Sequence, residues 1–251
     1  MSCDGLKQSV LITGVSGAIG QALAVQFKLH GYKILGIDLD ENGSDKCDVF
    51  FRIDLNEFVI NDSYSEEKIK EIKNFIQHDG LNVLINNAAC QHIANFDQLN
   101  LEDFQKVLNI NLLAAFQLSK KFITDLKKVK GSIVNIGSIH SRLTKKGFIS
   151  YAVSKAALRS LSTSMALDLG GGIRVNAIEP AAIETKMLRN GFGSNSKLYK
   201  KLQDCHPVKK IGSPEEVALL AHMIVDPGLQ FLHGSIIDLS GGISGRLHDP
   251  E

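Results

Sequence analysis

Tyr151 and Lys155 set a phenol and an ammonium four residues apart in the run Tyr151-Ala152-Val153-Ser154-Lys155. On a helix, positions i and i+4 share one face, so the two groups can meet. Such a pair could pass a proton to or from an oxygen atom. A lone Tyr-x-x-x-Lys carries little weight, because solvated helix faces are where lysine is ordinarily found. Its company gives it weight: a glycine-rich turn, an acid at the end of a strand, Asn86-Asn87-Ala88-Ala89, Asn111 and Ser138 all precede it.

An alcohol oxidised by hydride transfer must also give up its hydroxyl proton to a base that ionises near neutral pH. Tyrosine titrates at about 10, so bringing it near 7 takes about 4 kcal/mol of preferential stabilisation of the phenolate. A lysine ammonium and an oxidised nicotinamide, both positive, favour the ionised form. Tyr151 is then the acid/base, Ser138 the donor to the substrate oxygen, and Asn111 the holder of a water linking Lys155 to solvent. Ser141 competes with Ser138 for its role. Asn111 falls inside a helical stretch, where asparagine is intrinsically unfavourable and needs a reason, a functional contact or a local kink.

The turn Thr13-Gly14-Val15-Ser16-Gly17-Ala18-Ile19-Gly20 follows an apolar strand and opens a helix. In that context glycines let the backbone approach a pyrophosphate that faces the helix N-terminus. Asp38 ends the next strand, where a carboxylate accepts ribose hydroxyls and repels a 2′-phosphate. No Arg or Lys follows Asp38 closely, so NAD is expected in preference to NADP. Asp54 ends the third strand and has two readings of equal standing, an adenine contact or a helix cap.

The elements that must position these groups alternate along the chain. Apolar strands are expected over 8–13, 32–38, 49–53, 81–86, 131–137, 173–178 and 235–239. Helical spacing covers 18–30, 65–77, 101–127 (two helices), 151–169 and 214–225. Gly31 closes the first helix and Ser213 caps the last, with Pro214 at its first position. The gap between the second and third strands is short for a crossover helix and is expected to hold a loop or one turn. Seven strands alternating with helices imply an α/β fold, a doubly wound parallel sheet with helices on both faces, formed by residues 1–251 as one domain. The irregular stretch 185–211 is expected to be a lid over the substrate.

Taken together, these marks resemble the short-chain dehydrogenase/reductase family over nearly the whole chain. They are TGVSGAIG, Asp38, Asp54-Leu55, NNAA, Asn111, Ser138, YAVSK, Asn176 to Pro180, Lys210 to Ala218, and Asp238 to Gly242. The resemblance implies a Rossmann-like sheet and a tetrad of Asn111, Ser138, Tyr151 and Lys155. It implies a dinucleotide on Gly14, Ser16, Gly17, Ala18, Ile19, Gly20, Asp38, Asp54, Leu55, Asn87, Ala88, Ala89, Tyr151, Lys155 and Pro180, with Ile183 and Thr185 at the nicotinamide. It also implies a homotetramer or dimer. Position in the fold nominates Gln91, His92, Ser138, His140, Phe148, Ala182, Met187 and Leu188 for the substrate. If both histidines face the pocket, a polyol, sugar or hydroxy acid is favoured over a steroid or long acyl chain. Ala18, Ala89 and Ala181 stand where the family has glycine, and their methyl groups penalise positive φ and narrow the approach to a ligand. Gly17, beside Ala18, offers the turn another path.

The expected activity is NAD-dependent interconversion of a secondary alcohol and its ketone. Reduction of a 3-oxoacyl thioester with NADPH is the runner-up, and a non-catalytic cofactor-binding protein of the same fold is the alternative from another class. Composition sets the outer bounds. The chain has 251 residues, 44% hydrophobic and 22% charged, with a formal net charge of +1. That balance gives no reason to expect nucleic acid or an anionic membrane as partner. Cys3, Cys47, Cys90 and Cys205 form no C-x-x-C pair, so no metal site or disulfide framework is suggested, and free thiols in the cytoplasm are expected.

Overall fold

The computed structural model describes residues 8–76, 80–191 and 195–246. Its seven strands form one parallel sheet in the order β3-β2-β1-β4-β5-β6-β7. They are β1 Ser9–Thr13, β2 Lys33–Asp38, β3 Val49–Arg52, β4 Val83–Asn86, β5 Ser132–Ile136, β6 Arg174–Pro180 and β7 Ile236–Leu239. This is the Rossmann-like doubly wound architecture. The order reverses between β1 and β4, which opens a crevice at the carboxyl ends of the strands, where such sheets bind ligands.

Period-two alternation sends each strand's side chains to two cores. Val10 and Ile12 of β1 pack with Val134, Ile136 and Ile178 beneath α1 (Ala18–Leu29) and the C-terminal helix Pro214–Val225. Leu11 faces the opposite core with Leu84, Ile133 and Val175. That second core is roofed by α2 (Leu55–Ile60), α3 (Asp62–Ile76), α5 (Ala114–Lys121), α6 (Ile123–Lys128) and α7 (Ile149–Leu169), with α4 (Leu101–Leu108) preceding α5 in the chain. After β6 come α8 (Lys186–Asn190), α9 (Ser196–Cys205) and α10, the Pro214–Val225 helix. Burying apolar strands on both faces supplies the main driving force of the fold.

Several local expectations need correcting. Sequence periodicity gave no helix at 55–60, yet Asp54 caps α2 there, and α3 begins at Asp62 rather than at 65. Gln77, its expected end, lies outside the described residues. The stretch 101–127 holds three α-helices and a π-helical turn, Asn109–Leu113, rather than two helices. The 185–211 segment is more regular than expected, since α8 and α9 occupy most of it, although neither carries a buried residue. Residues 192–194 of that stretch lie outside the described residues. The short connection after β2 holds one 3-10 turn, Ser44–Lys46, as expected. Gly31 adopts φ +83° at the end of α1, and Ser213 makes a reciprocal capping box with Glu216 on α10. Among the described residues Cys47, Cys90 and Cys205 are free thiols, whereas Cys3 lies outside them.

Candidate active site

The glycine turn is built by packing as much as by ligand approach. Gly14 has φ +68°, and a Cβ there would lie 2.7 Å from Ala88 Cα. A Cβ on Gly20 would lie 2.1 Å from the Gly14 carbonyl oxygen, so only glycine fits. Gly17 uses no such freedom: its φ is −72°, and an added Cβ would meet only the Gly14 oxygen at 3.4 Å. Among the described residues only Lys130 and Lys209 combine a side chain with positive φ. Ala18, Ala89 and Ala181 therefore carry no backbone penalty, and the detour expected of Gly17 is not needed.

The turn is stitched to its neighbours through polar groups. Ser16 N donates to Asp38 Oδ2 at 2.9 Å, and Leu39 N donates to Oδ1 at 2.7 Å. Asn87 Nδ2 donates to the carbonyls of Thr13 (2.9 Å) and Gly14 (3.0 Å), while Asn87 N and Ala88 N both donate to Thr13 Oγ1 at 3.0 Å. Below them a buried ladder runs from Asn86 through Asn135 to Ser162, with both bonds at 2.8 Å, and fixes β4, β5 and α7 together. Asp54 Oδ1 accepts from Asn56 N (2.8 Å) and Glu57 N (3.3 Å), so the cap reading holds, and the residue also faces the cleft.

A cleft of about 1590 Å³ runs along the carboxyl ends of the strands. It is lined by every residue expected to hold the dinucleotide: Gly14, Ser16, Gly17, Ala18, Ile19, Gly20, Asp38, Asp54, Leu55, Asn87, Ala88, Ala89, Tyr151, Lys155, Pro180, Ile183 and Thr185. The glycine-only turn at the start of α1, with Asp38 beside it, suits the pyrophosphate and ribose of a dinucleotide. Basic groups that sequence proximity did not reveal also approach Asp38. Arg52 sits opposite it on β3 and donates to the Leu39 carbonyl at 3.3 Å, and Lys186 faces Asp40.

At the other end of the cleft, α7 places Tyr151 in its first turn and Lys155 one turn later. Lys155 is 2% exposed; its Nζ donates to the Ile136 carbonyl at 2.8 Å and lies 5.7 Å from the Tyr151 ring centroid. Burial pushes the Tyr151 phenol up to about 12, against a lowering hydrogen bond from Ser138. Burial also pushes Lys155 down to about 8. Moving the phenol from about 12 to 7 takes about 7 kcal/mol, more than an exposed tyrosine would need. Ser138, capping the short turn Ile139–Ser141, is the serine at the phenol. Ser141 turns away and donates to Glu179 Oε1 at 2.5 Å.

Asn111 is 2% exposed and lies behind the cleft wall, in the π-helical turn. Its Oδ1 accepts from Cys90 N at 2.8 Å; its Nδ2 donates to Cys90 O at 2.9 Å and to Ser154 Oγ at 3.0 Å. The side chain thus fastens the segment after Ala89 to α7, and the π turn accounts for an asparagine inside a helix. Of the residues nominated for the substrate, Gln91, Ser138, His140, Phe148, Ala182, Met187 and Leu188 line the cleft. His92 does not. Its Nε2 lies 3.5 Å from Asp103 Oδ2 instead. His140 stacks on Phe148 (centroids 4.8 Å apart, 8° between planes) and meets Tyr151 edge-on, and burial pushes it down to about 4.

Sequence reasoning missed Glu179 and Lys145. Glu179 is 1% exposed and binds Arg159 (2.7 Å) and Arg142 (3.3 Å), the latter reaching on to Asp238 at 2.8 Å. Its signal was an acid inside an otherwise apolar strand, Ala177-Ile178-Glu179-Pro180. Lys145 lines the cleft with its ammonium 4.4 Å from the Phe148 ring centroid, and nothing in its local sequence marks it.

Comparison with known proteins places these features in context. The family model described as Enoyl-(Acyl carrier protein) reductase matches residues 14–244. The chain is 28% identical to the 3-oxoacyl-[acyl-carrier-protein] reductase FabG of Buchnera aphidicola, over 94% of this chain and 97% of that protein. It is 32% identical to an uncharacterized oxidoreductase of Thermotoga maritima, over 93% and 96%. Among solved structures, ligand-free aldohexose dehydrogenase of Thermoplasma acidophilum superposes with a TM-score of 0.90 at 27% identity, covering 98% of this chain and 97% of that one. A 4-hydroxyisoleucine dehydrogenase complexed with NADH (TM-score 0.87, 26% identity, 96% and 100% covered) and ElxO with NADP bound (0.83, 25%, 96% and 100%) are similar as well.

Proposed function

Because this chain belongs to the short-chain dehydrogenase/reductase family, we propose that it interconverts a secondary alcohol and its ketone, with NAD preferred over NADP and Tyr151 as the acid/base. The observation that carries this reading is the juxtaposition of Ser138, Tyr151 and Lys155 at one end of a cleft whose other end is the glycine turn and Asp38. A bound nicotinamide dinucleotide supplies the hydride acceptor or donor and, when oxidised, a positive charge. Gly14 to Gly20 would cradle its pyrophosphate, Asp38 its ribose hydroxyls, and Ile183 and Thr185 its nicotinamide end.

The chain's own groups carry the proton. In oxidation Tyr151 Oη takes the carbinol proton as the hydride leaves carbon, and Ser138 donates to the substrate oxygen. The Lys155 ammonium stabilises the phenolate in a site from which burial excludes water. Asn111 acts as a positioning residue, holding α7 and the Cys90 segment in register. In reduction the same groups act in reverse, with Tyr151 as acid.

A second reading, reduction of 3-oxoacyl thioesters with NADPH, draws support from the FabG relative and from Arg52 and Lys186 near the ribose end. Asp38 favours the first, since its carboxylate opposes a 2′-phosphate. Calorimetric titration with each dinucleotide tests this preference. NAD should bind at least about tenfold more tightly, and tighter NADP binding would reverse the assignment. Val153 and Leu167, exposed apolar residues on α7, are consistent with a homotetramer or dimer, which sedimentation would resolve. Among the described residues no helix is long and apolar enough to cross a membrane.

A further inference from the structure

The acidic groups of the cleft gather at one end. Its nucleotide end carries Asp38, Asp40 and Asp54, with Lys186 acting on Asp40. Its catalytic end carries Arg142, Lys145, Lys146 and Arg246, and among the described residues no Asp or Glu lines that end. Two of these cations are already committed. Arg142 pairs with Glu179 and Asp238, and Arg246 donates to the Cys205 carbonyl at 3.3 Å.

Lys145 is placed differently. Among the described residues it makes no ion pair, and its ammonium lies over Phe148, whose ring is 6.3 Å from that of Tyr151. Phe148 thus links the ammonium to the catalytic end of the cleft. His140, stacked on Phe148, is neutral near pH 7 and adds no charge of its own. A cation resting on an aromatic face at a cleft wall, with no ion-pair partner among the described residues, is a ready partner for an arriving anion.

We propose that Lys145 binds a carboxylate of the substrate, so that the alcohol oxidised here is a small hydroxy acid, and the ketone reduced an oxo acid, rather than a neutral polyol. This rests on the oxidoreductase reading above and narrows its substrate class. The reacting carbinol would lie at Tyr151 and Ser138 with its carboxylate toward Phe148 and Lys145. A specificity carried by one charge-assisted contact is worth about tenfold or more between charged and uncharged analogues.

The test is a panel of short hydroxy acids, each matched with its hydroxy amide and with a phosphate ester in place of the carboxylate, assayed with NAD and NADP. The wild type should prefer acid to amide by about tenfold or more in kcat/KM. Lys145→Met should erase most of that preference, mainly through KM, and Lys145→Glu should invert it. Equal kinetics for acid and amide, or an acid-to-amide ratio unmoved by Lys145→Met, would overturn the assignment, as would a preference for the phosphate ester. Turnover of a neutral secondary alcohol with none of the acids overturns the assignment and leaves the oxidoreductase reading standing, whereas turnover of neither kind, nor of a 3-oxoacyl thioester, fails the oxidoreductase reading separately. Calorimetric titration with the hydroxy acid then decides the anion site: binding abolished by Lys145→Met supports it, and equal binding of acid and amide, or none, overturns it.

Discussion

Replacing Glu179 with alanine should be among the most costly single changes near the site. The carboxylate is 1% exposed, whereas the Arg142 and Arg159 side chains are 39% and 35% exposed. It accepts from both guanidinium groups and from Ser141 Oγ, and so fastens the turn Ile139–Ser141, with Ser138 at its head, to the end of β6. Removing one partner of a fully buried ion pair costs about 3–5 kcal/mol. The two arginines keep access to water, which lowers the expected loss to about 3 kcal/mol. In a chain of this size that is a fall in Tm of about 6–12 °C. Glu179→Gln keeps the volume and an acceptor for Ser141, and should lose about 2 kcal/mol. Asp204→Asn, which breaks the exposed pair with Lys200 on α9, should cost about 0.3–0.5 kcal/mol. Urea unfolding of the three variants provides the comparison. A loss below about 1 kcal/mol for Glu179→Ala would refute the reasoning, because the buried carboxylate would then hold nothing that the solvated pair does not.

Two further outcomes follow from local geometry and charge. Gly20→Ala should abolish dinucleotide binding in a calorimetric titration, since its Cβ would fall 2.1 Å from the Gly14 oxygen; Gly17→Ala, with negative φ and an ordinary 3.4 Å contact, should change unfolding stability by no more than about 0.5 kcal/mol. His140, held down to about 4, stays unprotonated in the folded chain while the unfolded chain takes up a proton near 6.5. Stability should therefore fall as pH drops from about 6.5 to 4, by about 2 kcal/mol after allowance for solvent, and urea midpoints across that range should flatten in His140→Phe.

Much of the fold was legible because strong patterns agreed at several levels. Apolar strands bounded by glycine, helices with paired caps, and a turn that tolerates only glycine at positions 14 and 20 all pointed one way. The short helix Leu55–Ile60 was not legible, because Leu55-Asn56-Glu57-Phe58-Val59-Ile60 is too brief to show a period and includes β-branched residues; only its cap, Asp54, signalled it. Helix Ser196–Cys205 was hidden for the opposite reason: it buries no residue, and its mixed lysines read as loop.

At the site, the residues that align along single elements could be read directly. The Tyr151–Lys155 pair and the turn from Gly14 to Gly20 belong to this group. Contacts made across elements could not be. His92 was nominated by position but pairs with Asp103, Lys145 meets Phe148 only through the loop's path, and Arg52 reaches the Asp38 corner from a neighbouring strand. The concern over Ala18, Ala89 and Ala181 had two grounds, positive φ and a narrowed approach to the ligand, and the first does not apply because none of the three has positive φ.

The most direct measurement is the rate of nicotinamide-linked alcohol oxidation by the wild type and by Tyr151→Phe, with dinucleotide affinity measured on both. Loss of a general base of this kind should lower kcat by about 10²–10⁴, while dinucleotide affinity stays within about threefold. Equal rates in the two proteins would contradict the assignment of Tyr151 as the acid/base.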